Sequence, residues 1–112
     1  HILKVIKENN EIDSFRSKIG HAKCIAIFGA SLTGRECYKA ATEAGVEVKF
    51  FLDNSPARQG TLFLGLPVYP VEYIMDSGAD QVDAVVLASA GYQEQMARQL
   101  EQLGCRKVLI KL

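Results

Sequence analysis

Apolar and polar positions along the chain change their spacing from block to block, and each spacing predicts an element. Residues 1–22 are polar and mixed. Within them Ile12, Phe15 and Ile19 share one face of a short helix that Asp13 or Ser14 would cap and Gly20 would end. Cys24 to Phe28 is a continuous apolar run, the pattern of a central strand covered on both faces. After the loop Gly29 to Gly34, Arg35 to Ala44 carries a small-residue face (Cys37, Ala40, Ala41, Ala44). That face predicts a helix lying close on a sheet, ended by Gly45. From Val46 to Leu52 the pattern turns to alternation, Val46, Val48 and Phe50 against Glu47 and Lys49. It predicts a second strand closed by Asp53.

Asn54 to Gly65 carries Pro56, Gly60 and Gly65 and no helical period, so an extended excursion is expected, with a short strand over Thr61 to Leu64. Pro67-Val68-Tyr69 reads as a brief edge strand. Pro70 then opens a short helix to Ser77, buried through Val71, Ile74 and Met75, with Gly78 beyond its end. Val82 to Ala88 is a further apolar strand and Ser89-Ala90-Gly91 a loop. Tyr92 to Leu103 is a helix with Met96, Leu100 and Leu103 inward, and Lys107 to Leu112 is a last strand. Strands alternating with helices give a parallel sheet with helices on both faces. Right-handed crossovers leave few topologies, and the natural choice is an α/β, three-layer, Rossmann-like doubly wound parallel sheet. It has about five strands in the order 3-2-1-4-5, with an irregular link replacing the helix between the second and third.

In such sheets a ligand sits outside the carboxyl ends of the strands, where the strand order reverses. Three loops meet there. The first, Gly29-Ala30-Ser31-Leu32-Thr33-Gly34, leads into a helix whose free N–H groups and dipole attract phosphate. Gly29 permits the tight turn and Gly34 close helix–strand packing. Ser31 stands where a dinucleotide fingerprint places its middle glycine, so its Cβ meets, or its hydroxyl binds, an approaching phosphate. Ser31 and Thr33 also fit as ordinary helix caps. The second loop brings Asp53 and Asn54. A carboxylate at that strand end takes ribose hydroxyls, and with Arg58 five positions on and no arginine directly following, NAD is favoured over NADP. The same residues also read as an Asx turn before Pro56. The third loop supplies Ser89, Gly91 and Tyr92, the last either stacking on a base or sugar or acting as a half-buried staple.

Composition narrows the classes. Among 112 residues, 13 basic and 13 acidic side chains cancel, so neither nucleic acid nor an anionic membrane is expected as a partner. No apolar run approaches the roughly 20 residues of a membrane span. Ile2 to Ile6, broken by Lys4, is too short for a secretory signal. Cys24, Cys37 and Cys105 are widely spaced and lack C-x-x-C. That argues against a disulfide framework or a zinc site and for a reducing, cytoplasmic setting, with no metal. His1 and His21 are the only histidines, and both precede the first core strand. Tyr38 and Lys39 are adjacent rather than spaced as a catalytic pair, so no catalytic residue is expected in this chain. The start at His1 reads as a tag remnant or as a domain cut from a longer protein. The polar lead-in favours the second, giving residues 1–22 as a lead-in helix or linker and 23–112 as the nucleotide-binding domain.

The run IAIFGASLTGRECYKAATEAGVEVKFFLDNSPARQGTLFLGLPVYPVEYI, with DAVVLASAGYQEQMARQLEQLG after it, resembles a small Rossmann domain of bacterial sugar-modifying and surface-polysaccharide proteins, also attached to some methyltransferases and glycosyltransferases. Its most specific element is G-x-x-x-x-G-x-P-V, here Gly60 to Val68. The resemblance covers residues 23–112. It implies an accessory module that binds NAD(P) or a nucleotide sugar within a parent methyl-, glycosyl- or acyltransferase or nucleotide-sugar enzyme. It also implies phosphate and ribose positions at Gly29, Gly34 and Asp53. Two other readings stand beside it. One is a non-binding scaffold that dimerises through the apolar segment Thr61–Tyr69, and the other is a small NAD-dependent oxidoreductase.

Overall fold

A computed structural model describes residues 15–111 of the chain. Ile12, Asp13 and Ser14 of the predicted lead-in helix lie outside the described residues. Residues 15–19 are helical (α1) and end at Gly20, where φ is 65°. Phe15 and Ile19 are buried in the core.

Six strands follow: β1 (Cys24–Phe28), β2 (Glu47–Leu52), β3 (Leu62–Phe63), β4 (Leu66–Tyr69), β5 (Ala84–Leu87) and β6 (Val108–Lys111). They lie in the order β3-β4-β2-β1-β5-β6, parallel throughout except for the β3–β4 pair. Without the two-residue β3, this is the expected order 3-2-1-4-5, and it is a Rossmann-like fold. Helices α2 (Leu32–Glu43) and α3 (Gln93–Leu103) link β1 to β2 and β5 to β6, each pair parallel.

The sheet is covered on both faces because β1 and β5 have no polar face to offer. Ile25 and Ile27 pack with Cys37 and Ala41 of α2 and with Phe15 and Ile19 of α1. Ala26 and Phe28 point the other way, toward Val71, Ile74, Ala97 and Leu100. Each large apolar side chain so buried contributes about 1.5–3 kcal/mol. The central strands are therefore a rigid base for the loops at their carboxyl ends.

Two expectations are corrected. Alternation in β2 placed Val48 and Phe50 on one face, but they pack on opposite faces. Val48 pairs with Ile25 and Phe50 with Ala26, so the register slips at Lys49 and the pleat reverses. Gly78, expected to lie beyond a helix end, lies within the helical segment at φ −68°, ψ −36°. The segment widens to a π turn at Ile74–Gly78 and continues through a 3₁₀ turn at Ala79–Gln81. A Cβ at Gly78 would stand 3.0 Å from the Phe50 and Tyr73 rings, so this glycine lets the segment approach the sheet rather than leave it. Met75, expected inward, is exposed.

The amino ends of β1 and β5 are tied by Asp83, whose Oδ2 accepts the N–H groups of Lys23 (2.9 Å) and Cys24 (3.2 Å). These two bonds, the Lys23 bond first, hold the exposed carboxyl below the usual range. The unfolded chain, with the ordinary carboxylate value near 3.9, then binds the proton more tightly than the folded one. The contribution of Asp83 is complete above about pH 4 and is lost as pH falls through the lowered folded value. We expect urea denaturation to show a stability gap between wild type and Asp83→Ala that is constant near neutrality and closes toward pH 3. A gap that widened in acid would contradict it.

Candidate functional site

The first loop follows from two close approaches. Gly29 has φ 121°, and a Cβ there would lie 2.7 Å from the Ala88 carbonyl oxygen. A Cβ on Gly34 would lie 1.9 Å from the Gly29 carbonyl oxygen, so α2 crosses directly over the loop. Both glycines serve the roles their spacing predicts. Helix α2 begins at Leu32, a turn earlier than its apolar face suggested, with Ser31 as its N-cap at φ −142°, ψ −164°. This extended backbone suits any residue, so Ser31 replaces a glycine without strain. Its hydroxyl makes no cap hydrogen bond, and the cap reading of that side chain is not realised. Ser31→Ala is accordingly expected to change stability by under about 0.5 kcal/mol, below the ~1 kcal/mol of a bonded cap, in chemical denaturation.

The amino end of α2 is electropositive. Among the described residues no protein acceptor meets the N–H groups of Leu32, Thr33 and Gly34, and the first turn holds no acidic side chain. Leu32 itself is exposed and Thr33 half-buried.

Asp53 stands at the end of β2, half-buried. Its Oδ2 accepts the Ala30 N–H (2.9 Å) and its Oδ1 the Ser55 N–H (2.8 Å). The carboxylate thus ties the first loop to the second loop, and the Asx turn is real. Each oxygen still has acceptor capacity for a hydroxyl. Arg58 and Gln59 complete the knot: the Arg58 Nη1 donates to the Ala30 carbonyl, and the Gln59 Nε2 to the Asp53 carbonyl (3.0 Å). Arg58, set aside on spacing, therefore returns to the first loop through the excursion after Pro56. Neither its place nor that of Gln59 follows from periodicity, because the excursion has none.

In the third loop the Ser89 Oγ accepts the N–H groups of Tyr92 (3.0 Å) and Gly91 (3.3 Å), so the hydroxyl holds the turn that leads into α3. Tyr92 is 67% exposed and is no staple. Its ring helps to line a cavity of about 390 Å³, with Phe28, Gly29, Asp53, Asn54, Gln95, Met96 and Gln99. The cavity opens at the carboxyl ends of β1 and β2 beside α3. Asn54 and Gln99 meet beside it in a reciprocal pair of hydrogen bonds between their side-chain amides, 2.8 Å in both directions. Tyr92, Gln95, Met96 and Gln99 recur at helical spacing. That signal was present in the sequence but was outweighed by the apolar set of Met96, Leu100 and Leu103.

The arrangement offers N–H groups and an arginine for phosphate, a carboxylate for hydroxyls, and a cavity with an aromatic wall for a planar group. Behind the loop, burial pushes the Cys37 thiol of α2 up to about 12. Among the described residues no three metal-ligating side chains gather, and no helix is long and apolar enough to cross a membrane.

No protein-family model and no curated protein matches the chain. Solved structures do. UDP-D-quinovosamine 4-dehydrogenase from Vibrio fischeri superposes with a TM-score of 0.62 at 20% identity, over 80% of this chain and 77% of that one. RSP, a Rex-family repressor, gives 0.60 at 18% identity, over 80% and 52%. The complex of RSP with β-NAD+ and operator DNA gives 0.59 at 20%, over 80% and 50%. The chain spans about half the length of the repressor it matches. At these identities the similarity establishes the Rossmann-like fold.

Proposed function

We propose that this domain binds a nucleotide, NAD-type or a nucleotide sugar, as an accessory module of a larger sugar-modifying, polysaccharide-biosynthesis or transferase protein. The observation that carries the reading is the convergence of the Gly29–Gly34 loop, Asp53 and the 390 Å³ cavity at one end of the sheet. Phosphates would lie on the N–H groups of residues 32–34 with Arg58 beside them, and ribose hydroxyls on Asp53. Two fold neighbours support this class: RSP in complex with β-NAD+, and the UDP-sugar dehydrogenase. The cytoplasm is the setting that the three free cysteines suit. Neither a metal nor a nucleic-acid partner enters the reading, and the chemistry of the parent protein resides in its other domains.

Calorimetric titration with NAD, NADP, coenzyme A, S-adenosylmethionine and UDP-sugars tests it. Binding of a dinucleotide or a UDP-sugar is expected, and no heat or shift with any of them at millimolar concentration overturns it.

A second reading rests on one observation. Leu62 is 72% exposed on β3, at the open edge of the sheet, with Leu64 exposed beside it. A homodimer through Thr61–Tyr69 would cover that edge. Light scattering that gives the monomer mass at high protein concentration removes it.

A further inference from the structure

Asn54 and Gln99 hold each other through two side-chain hydrogen bonds, yet they come from different elements and both line the cavity. Asn54 follows β2 on a loop and is exposed. Gln99 sits on α3, which is anchored by buried Ala97 and Leu100. A carboxamide presents a donor and an acceptor side by side. In the free protein each amide satisfies the other. The in-plane edge of a nucleobase presents the same donor–acceptor pair, so it can replace one partner without losing a hydrogen bond.

We propose that Gln99 is the base-reading residue of the cavity, and that the Asn54–Gln99 pair is a clasp that opens when a nucleobase enters. This rests on the nucleotide reading above. The base stacks against the exposed ring of Tyr92 and over Met96. Its edge takes the amide that Asn54 releases, while the attached ribose reaches Asp53 next to Asn54. Gln99 is the better reader because a helix with buried neighbours fixes its direction, whereas Asn54 can turn to water. Adenine and uracil both carry such an edge, so the shared chemistry is a nucleobase with adjacent donor and acceptor.

The two amides are predicted to act in opposite directions, which a merely structural pair would not. Titration of the 112-residue chain with ADP, UDP and ribose 5-phosphate, followed by backbone amide shifts, provides the test. Gln99→Leu is expected to weaken ADP or UDP about tenfold and to leave ribose 5-phosphate unchanged. Asn54→Ala is expected to bind the same nucleotide at least as tightly as wild type, since the clasp no longer has to open. Whether ADP or UDP is the sensitive ligand identifies the base. Equal losses in both variants, or a loss that extends to ribose 5-phosphate, would overturn the proposal and leave a structural clasp. Wild-type binding indifferent to Gln99→Leu overturns it while the nucleotide reading stands. A wild-type chain that binds none of the three, nor the dinucleotides and UDP-sugars above, overturns both.

Discussion

Gly34→Ala is expected to cost about 3 kcal/mol or more, a large share of the 5–15 kcal/mol that holds a domain together. The added Cβ would stand 1.9 Å from the Gly29 carbonyl oxygen and 3.1 Å from its carbon, both backbone atoms that cannot swing away. Relief requires α2 to lift from β1, and the buried Cys37 and Ala41 would lift with it. Gly91→Ala is the matched control. A Cβ there meets nothing within 4 Å, and the expected change is within about 0.5 kcal/mol. Urea denaturation followed by circular dichroism separates the two. A Gly34→Ala protein as stable as wild type would show that the helix does not cross the loop as described.

Asp53→Ala is expected to lower stability by about 2 kcal/mol and to weaken nucleotide binding about 100-fold. The first effect needs no ligand. It comes from two backbone N–H groups, of Ala30 and Ser55, that lose their charged acceptor in a half-buried site. The second, which rests on the nucleotide reading proposed above, adds the loss of a ribose hydroxyl contact to a first loop no longer held in place. Asp53→Asn is nearly as harmful, because its amide nitrogen must face one of the two N–H donors. Denaturation of the free protein and calorimetry at a temperature where both variants remain folded report the effects separately. If stability falls and affinity does not, Asp53 is a loop tie only.

Much of this site was legible because its determinants are local. The glycines at 29 and 34 bound a loop between an apolar run and a helix, and Asp53 ends the next strand, so each could be placed from its own neighbours. What was missed depends on contacts between distant segments. Arg58 and Gln59 lie in an aperiodic excursion and find the Ala30 and Asp53 carbonyls only once β4 has docked beside β2. Gln99 meets Asn54 across 45 residues of chain. The face reversal in β2 arises from pairing with β1, and alternation within one strand cannot report a slip against its partner.

Local patterns carry the alternation of strands and helices, the strand order 3-2-1-4-5, and the glycines and carboxylate at the carboxyl end of the sheet. Unbroken apolar runs must be buried on both faces, and right-handed crossovers then leave little choice. Packing between distant segments furnished that end. It put the Asp53 carboxylate on the backbone of the first loop, brought Arg58 to that loop, and set the hydrogen-bonded Asn54–Gln99 pair on the wall of the cavity. These are hydrogen bonds between groups far apart in the chain. Their partners are fixed by the packing of the sheet, and no local pattern of hydrophobic and polar residues encodes them.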